Sequence, residues 1–265
     1  MPRGETLPVT EIRRIRMQYL AADMVCEIPL GDRSSPADGL RAVISLARAG
    51  NMALSRRRDL PWRTSLFSLL GMEEERVFGL RQVHSQKVVV VDQQQPETLA
   101  AEEADGMVTD RTDAVLSATV ADCLPIFLRD TVSGAFGLVH SGWKGTGIVV
   151  SALRVMRDSC GTLAQNVAAT IGPGIGPCCY HVPEERASLF SRQFGATTVV
   201  RNKDGTPSLD LREANFALLR DAGVEAVTVV EDCTSCSEAL GSFRRQGSAS
   251  YSLMLSCIGR WGRGT

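Results

Sequence analysis

The sequence predicts an α+β fold built from mixed β-sheets flanked by helices. Four short β-branched or apolar runs in the middle of the chain, bounded by Gly, Asp and Ser, are typical of strands; they are 87–92, 114–121, 125–129 and 135–140. Strand and helix patterns are interleaved in the second half. The strand-rich middle lacks the steady alternation of strand and helix that a doubly wound parallel sheet requires.

The other elements follow from the two hydrophobic periodicities. Apolar residues at helical spacing predict a helix over 144–160, with Gly161 at its end. The run 40–49 fits either a helix or a buried strand, because periodicity cannot decide over so few residues. Further helices are predicted over 60–70, 183–194 and 211–222, and further strands over 167–171, 197–200, 226–230 and 251–258.

Length and composition indicate one globular domain over residues 1–265, with 1–37 as an N-terminal lead-in. Apolar residues make up 44% of the chain, enough for a core, and no repeat or low-complexity linker divides it. The net charge of −1 gives no broad field for gathering nucleic acid or anionic lipid, so we expect neither partner. The first twenty residues contain no secretory or membrane-spanning segment, and we expect a cytoplasmic protein.

Three residues with metal-binding side chains stand next to predicted strands. His84 precedes the run 87–92, Cys123 follows the run 114–121, and His140 ends the run 135–140. Imidazole and thiolate are preferred zinc ligands, and three protein ligands leave the fourth tetrahedral position for water, as a catalytic site requires. Copper is the other metal that this donor set suits, because intrinsic affinity does not favour zinc. The spacing alone leaves open whether these residues are only packed side chains.

The same residues allow two other interpretations. Cys123 can be a nucleophile with a histidine as its base, which predicts a hydrolase or amidase acting on a small amide or cell-wall precursor. Such an enzyme is sensitive to thiol alkylation and survives chelators. The chain can also be a non-catalytic metal-binding protein.

Several longer motifs carry a resemblance to a known family. They are RQVHS (81–85), ADGMVTD (104–110), ATVADCLPIFL (118–128), GLVHSGWKGT (137–146), IGPGIGPCCY (171–180) and LDLREANFALLRDAGV (209–224). In this order the sequence, from about Ala42 to the C-terminus, resembles the YfiH or laccase-domain family. The resemblance implies an α+β layered sandwich of mixed β-sheets flanked by helices.

The resemblance also implies an activity and a metal. Members of this family are zinc-dependent purine nucleoside phosphorylases that also deaminate adenosine and cleave methylthioadenosine, and earlier descriptions called them polyphenol oxidases or copper laccases. Their zinc ligands fall on His84, Cys123 and His140. A purine nucleoside and phosphate are the implied small-molecule partners, for either a monomer or a homodimer.

The sequence offers further candidate residues for catalysis and substrate binding. We predict Cys123, His140 and Asp122 as catalytic residues, although Asp122 is equally suited to orienting a turn. The resemblance favours a strand over the run 40–49 and makes it end at an arginine, Arg48. Phosphorolysis requires cations, since guanidinium and ammonium groups bind phosphate. Arg48, Lys144 and Arg245 are the predicted substrate-binding residues, with Arg244 as a further candidate, and surface charge is the alternative for each.

Two cysteine motifs have no assigned chemistry. Cys233 and Cys236 form a C-x-x-C pair, which without a second pair is poor evidence for a metal, and we interpret them as structural. Cys178 and Cys179 precede Tyr180. The family usually has an acidic residue after this tyrosine, whereas this chain has His181, which leaves His181 as a substitute partner for the base.

Overall fold

The computed structural model describes residues 10–20, 22–31, 39–53 and 61–262. Two β-sheets lie face to face, and helices pack on their outer faces. The strands are β1 (Glu11–Ile15), β2 (Val25–Glu27), β3 (Leu40–Ser45), β4 (Val77–Phe78), β5 (Val88–Val90), β6 (Gly106–Thr109), β7 (Val115–Val120), β8 (Leu124–Asp130), β9 (Phe136–Ser141), β10 (Val167–Ile171), β11 (Val199–Arg201), β12 (Pro207–Leu209), β13 (Ala226–Val230) and β14 (Met254–Arg260). The helices are α1 (Pro61–Leu70), α2 (Pro96–Leu99), α3 (Ile148–Cys160), α4 (Glu184–Phe194), α5 (Leu211–Asp221) and α6 (Phe243–Gln246).

Both large sheets are mixed, as predicted. The seven-stranded sheet has the order β1-β13-β10-β8-β9-β6-β5, with parallel pairs at both ends and antiparallel pairs in the middle. The five-stranded sheet has the order β2-β3-β14-β7-β4, in which β4 and β7 are parallel. Strands β11 and β12 form a separate antiparallel pair.

Alternation of side chains along the strands produces a layered arrangement. In β8, Ile126 packs toward helices α3, α4 and α5, whereas its neighbour Phe127 packs between the two sheets. In β7, Leu116 faces the space between the sheets and Val115 faces the layer that contains α1. The order of layers is therefore α1, five-stranded sheet, seven-stranded sheet, and the group of three helices, which confirms the predicted sandwich.

The predicted elements are largely present, with shifted ends. Strands β10 and β13 have the predicted bounds. Helix α3 begins at Ile148 rather than 144, because residues 143–147 form a turn in which Gly147 has a φ of 106°. The run 40–49 is a strand only as far as Ser45, and Arg48 follows in a single 3₁₀ turn, Ala47–Ala49. The predicted strand ending at Arg48 is thus too long.

The N-terminal segment contributes more structure than a lead-in. Strand β1 lies at one edge of the seven-stranded sheet and β2 at one edge of the five-stranded sheet. Residues 1–9, 21 and 32–37 of the predicted lead-in, and residue 60 of the predicted helix 60–70, lie outside the described residues. Among the described helices, none combines the length and the apolar character needed to cross a bilayer.

We predict that Phe127→Ala lowers the free energy of unfolding by about 3–5 kcal/mol, because it removes a large side chain from the core between the sheets. Phe127 is fully buried there. Val132→Ala is the control, since Val132 is 76% exposed in the turn after β8, and we expect a change within about 0.5 kcal/mol. Urea unfolding of both variants measures the difference, and equal losses would contradict the layered packing.

Candidate metal centre

The three predicted ligands come from three segments that the seven-stranded sheet brings together. His84 lies in the loop before β5 and has a φ of 60°, a left-handed conformation that is uncommon outside glycine. Cys123 follows β7 and immediately precedes β8. His140 lies in β9, opposite Pro125 of β8 in an antiparallel register. The pairing of β8 with β9 therefore sets Cys123 beside His140.

The side chains converge on one point. The ligand atoms of His84, Cys123 and His140 all lie within 4.8 Å of one another. The two imidazole rings meet edge to face, with centroids 4.8 Å apart and planes at 73°. His84 is exposed, Cys123 is half-buried and His140 is buried. Two imidazole nitrogens and one thiolate form a donor set that suits zinc and leaves a fourth coordination position open.

The carboxylate of Asp105 organises this centre. Its side chain accepts hydrogen bonds from the backbone N–H groups of Val83 (3.2 Å), His84 (2.9 Å) and Ser85 (2.6 Å). It also accepts from the Ser85 hydroxyl (2.8 Å) and from Nδ1 of His140 (2.9 Å). The bond to Nδ1 leaves Nε2 of His140 as the nitrogen that is available to a metal. Asp105 therefore fixes both histidine ligands, one through its backbone and one through its ring.

The electrostatics of the centre favour a thiolate. Burial by itself would raise the pKa of Cys123, but the neighbouring His140 and His84 lower it to about 6. Burial would lower the pKa of His140, but the Cys123 thiolate and Asp105 raise it to about 9. The pKa of Asp105 falls to about 2, because hydrogen bonds from His140 and Ser85 outweigh its burial. Asp105 therefore remains charged near neutral pH.

Because Gly142 has no side chain, Cys123 and His84 can pack directly against its backbone. A Cβ atom at this position would lie 2.7 Å from the Cys123 sulfur and 3.2 Å from Cδ2 of His84. Its φ is not in the left-handed region, so steric contact rather than backbone strain is what excludes a side chain here. The glycine of the HSGW motif is thus required because Cys123 and His84 lie too close to it for a side chain.

The metal centre lies at one wall of a cleft of about 650 Å³. Four aromatic side chains line the cleft: Trp143, Tyr180, Phe243 and Tyr251. Three cations line it as well: Lys144, Arg186 and Arg244. The cations stack on the aromatic rings, with the Arg186 guanidinium 4.5 Å from the Trp143 ring and the Arg244 guanidinium 5.3 Å from the Tyr180 ring.

Of the three predicted substrate-binding residues, the structure brings only Lys144 to this cleft. Arg48 is exposed in the turn after β3 and is not among the lining residues. The Arg245 guanidinium donates hydrogen bonds to the carbonyls of Thr234 (2.5 Å) and Ser237 (2.6 Å) and to that of Leu240. Arg245 is therefore occupied in holding the loop before α6.

Asp122 lines the cleft but its carboxylate is engaged in the fold. Its Oδ1 accepts from the Thr234 hydroxyl (2.6 Å), and its Oδ2 accepts from the backbone N–H of Arg244 (2.7 Å). The φ of Asp122 is 89°, so Asp122 is a second non-glycine residue with a positive φ, after His84. These bonds tie the Cys123 segment to the segments that carry Thr234 and Arg244.

The imidazole of His181 is engaged with residues outside the cleft. Its Nδ1 lies 2.8 Å from the Ser208 hydroxyl and 3.0 Å from Nδ2 of Asn202, and it is not a lining residue. Its carbonyl is linked to the cleft, since it accepts a hydrogen bond from the Arg244 side chain (3.2 Å).

Sequence reasoning missed Asp105 and Arg186. Asp105 stands directly before the apolar strand β6, and a carboxylate at the start of a buried strand is a signal that could have identified it. Arg186 belongs to the exposed first turns of α4, where charged residues are ordinary, so nothing in the sequence distinguishes it.

Comparisons with known proteins show which proteins this chain is similar to. Residues 61–260 match the family described as multi-copper polyphenol oxidoreductase laccase. A purine nucleoside phosphorylase of Mycobacterium tuberculosis is 36% identical over 186 residues, 69% of this chain and 72% of that protein. An adenosine deaminase from an unknown prokaryotic organism is 34% identical over 205 residues, 72% of this chain and 78% of that protein. The crystal structure of YlmD from Geobacillus stearothermophilus superposes with a TM-score of 0.79 at 28% identity, covering 91% of this chain and 100% of that one.

We predict that Asp105→Asn weakens zinc binding by roughly 10–100-fold, because both histidine ligands lose the charged acceptor that orients them. Competition with a chromophoric chelator measures the dissociation constant. Asp92→Asn is the control, since Asp92 is exposed beyond the other end of β5 and β6. An Asp105→Asn variant with wild-type affinity would contradict the assigned role.

We predict that Gly142→Ala disrupts the same centre by steric contact. Crowding a packed site costs about 1–3 kcal/mol, which corresponds to zinc binding weaker by roughly 5- to 150-fold. Gly262→Ala is the matched control, because an added Cβ there meets no atom within 4 Å. Zinc titration of both variants is the measurement, and unchanged affinity in Gly142→Ala would refute the predicted crowding.

Proposed function

This chain belongs to the multi-copper polyphenol oxidoreductase laccase family, and we propose that it is a zinc-dependent purine nucleoside phosphorylase that also deaminates adenosine. Methylthioadenosine is a further proposed substrate. The observation that carries the proposal is the convergence of His84, Cys123 and His140 beside a cleft lined by both aromatic and cationic side chains. Relatives named as a purine nucleoside phosphorylase and as an adenosine deaminase support it.

The donor set fits the proposed metal. His84, Cys123 and His140 would hold the zinc ion, and Asp105 would keep His140 in the tautomer that presents Nε2. When bound, zinc supplies a Lewis acid with one coordination position open to water or substrate. Copper suits the same ligands, so metal analysis of the purified protein is part of the test.

The aromatic side chains are suited to a purine. Trp143, Tyr180, Phe243 and Tyr251 offer flat apolar faces, against which a purine ring can stack beside the metal ligands. Burial and the Cys123 thiolate raise the pKa of Tyr180 to about 12. The Tyr180 hydroxyl therefore keeps its proton and can donate a hydrogen bond to a ring nitrogen of the leaving base.

The cationic side chains are suited to phosphate. Lys144 and Arg186 both lie against the Trp143 ring, and Arg244 lies over Tyr180. Positive groups beside two of the four aromatic rings allow the base and the phosphate to be bound next to one another. We propose Lys144, Arg186 and Arg244 as the phosphate-binding set.

Asp122 has a positioning role in this proposal. Both of its carboxylate oxygens accept hydrogen bonds from other segments, one from Thr234 and one from the Arg244 backbone. Such a carboxylate is held in place rather than free to transfer a proton. Asp122 would therefore orient the loop that carries Cys123 and the backbone that carries Arg244.

A metal-free cysteine hydrolase is the second candidate function. The specific observation that favours it is the contact between Cys123 and His140, with the pKa of the thiol lowered to about 6 and that of the imidazole raised to about 9. A thiolate beside an imidazolium is the reactive pair of thiol hydrolases. Chelation separates the two functions, because a metal-free hydrolase keeps its activity.

The test is turnover of adenosine, inosine and methylthioadenosine with and without phosphate, followed by chromatography of the products. Phosphorolysis yields a free base and a sugar 1-phosphate and requires phosphate, whereas deamination yields inosine and ammonia and does not. We predict that chelation or Cys123→Ala lowers kcat/KM at least about a hundredfold, because the metal contributes several kcal/mol to transition-state stabilisation.

Cys26→Ser is the control, since Cys26 lies on the edge strand β2 and is half-buried. We expect this variant to keep its metal and its turnover. Nucleoside turnover that persists after complete chelation would refute zinc dependence, and the absence of turnover on all three nucleosides by the zinc-loaded protein would refute the proposed function.

A further inference from the structure

A second group of metal-binding side chains lies outside the residues that line the cleft. The sulfur atoms of Cys178, Cys179, Cys233 and Cys236 all lie within 4.8 Å of one another. The Cys236 sulfur is 3.6 Å from that of Cys178 and 3.4 Å from that of Cys179. None of these cysteines is in a disulfide. The C-x-x-C pair of the sequence thus meets a partner pair from a distant segment.

The distances match a tetrahedral metal site. Four sulfurs at about 2.3 Å from a zinc ion lie about 3.8 Å from one another, the edge of the tetrahedron. A disulfide would instead require sulfurs about 2.05 Å apart. The separations of 3.4 Å and 3.6 Å are close to the tetrahedral edge.

Each of the two cysteine pairs lies in a turn that brings its sulfur atoms close together. Cys233 and Cys236 have the two-residue spacing of structural zinc sites, and the turn closes with a hydrogen bond from the Cys236 N–H to the Cys233 carbonyl (3.1 Å). Cys178 and Cys179 share another turn, in which the N–H groups of Cys179 and Tyr180 both donate to the Gly176 carbonyl (3.0 Å each). Adjacent cysteines in that turn direct both sulfurs to Cys236.

A backbone N–H group also faces the Cys233 sulfur. The N–H of Gly176 donates to it at 3.2 Å. Donors of this kind stabilise a thiolate and are common partners of metal-bound sulfur.

A buried arginine offsets the charge that such a site carries. Four thiolates around Zn²⁺ have a net charge of −2. Arg212 of α5 is only 6% exposed, and it donates to the carbonyls of Gly174 (2.6 Å) and Asp232 (2.7 Å), close to both cysteine pairs. Its guanidinium interacts electrostatically with Cys233 and Cys178. Its Nε has no hydrogen-bond partner among the described residues.

We propose that this protein binds a second metal ion, a structural zinc held by four thiolates: Cys178, Cys179, Cys233 and Cys236. The site does not depend on the activity proposed for the cleft. Its effect is to clamp the segment before Tyr180 to the loop after β13.

The clamp supports one wall of the cleft. Tyr180 follows Cys179 directly, and the Cys179 carbonyl accepts a hydrogen bond from the Arg244 side chain (3.0 Å). Thr234 follows Cys233, and its hydroxyl donates to Asp122 (2.6 Å). One cysteine pair is therefore followed directly by the cleft residue Tyr180, and the other pair encloses Thr234, which is hydrogen-bonded to the cleft residue Asp122.

Metal content of the protein purified under reducing conditions and saturated with zinc tests this proposal. We predict two zinc ions per chain by elemental analysis and native mass spectrometry. Cys123→Ala should retain one, and the double variant Cys178→Ser/Cys236→Ser, which changes the two exposed cysteines, should also retain one. Cys160→Ser, a half-buried cysteine outside both groups, should retain two.

Cobalt substitution identifies the ligands. Cobalt-loaded Cys123→Ala should keep the intense thiolate-to-metal absorption of a four-sulfur site, and this variant decides the question even if the double variant does not fold. One zinc ion in the wild type, or none in Cys123→Ala, would overturn the proposal. Fewer than eight reactive thiols in protein denatured with chelator would also overturn it, because it would reveal a disulfide.

Discussion

The buried carboxylate of Asp105 is the constraint on which the metal centre depends. It is 2% exposed at the start of β6, and it accepts hydrogen bonds from the loop of His84 and from the ring of His140. A buried charge is tolerated only where it is fully hydrogen-bonded, so these donors and Asp105 require one another. Asp105 thereby anchors the loop that carries His84 to the sheet that carries His140.

The register of the sheet explains how residues far apart in sequence come together in one candidate metal centre. Strand β9 pairs with β8 on one side and with β6 on the other, so it stands between the segments of Cys123 and Asp105. The β9 residue His140 therefore meets a sulfur from one neighbour and a carboxylate from the other. A second set of hydrogen bonds, through Asp122, ties the same place to the loop after β13.

The sequence predicts well what depends on local pattern. The apolar runs of β10 and β13 and the helical spacing of α3 are strong signals, and a chain with only three histidines offers few choices of ligand. Strand β6 begins at a glycine and β12 at a proline, so their short runs carry little signal. The place of Asp105 before β6 is a weak local signal, whereas the position of Arg186 in the cleft and the pairing of the two cysteine motifs depend on tertiary contacts, which no single segment encodes.

The two histidine ligands are buried to different extents, so the centre is accessible from one side. His140 is 3% exposed and is backed by Asp105 and the sheet, whereas His84 is exposed in a loop at the rim. His84 is therefore the ligand that faces solvent, whereas the sheet closes off the side of His140. Any change of ligand at the centre therefore takes place on the His84 side, while the sheet keeps His140 in position.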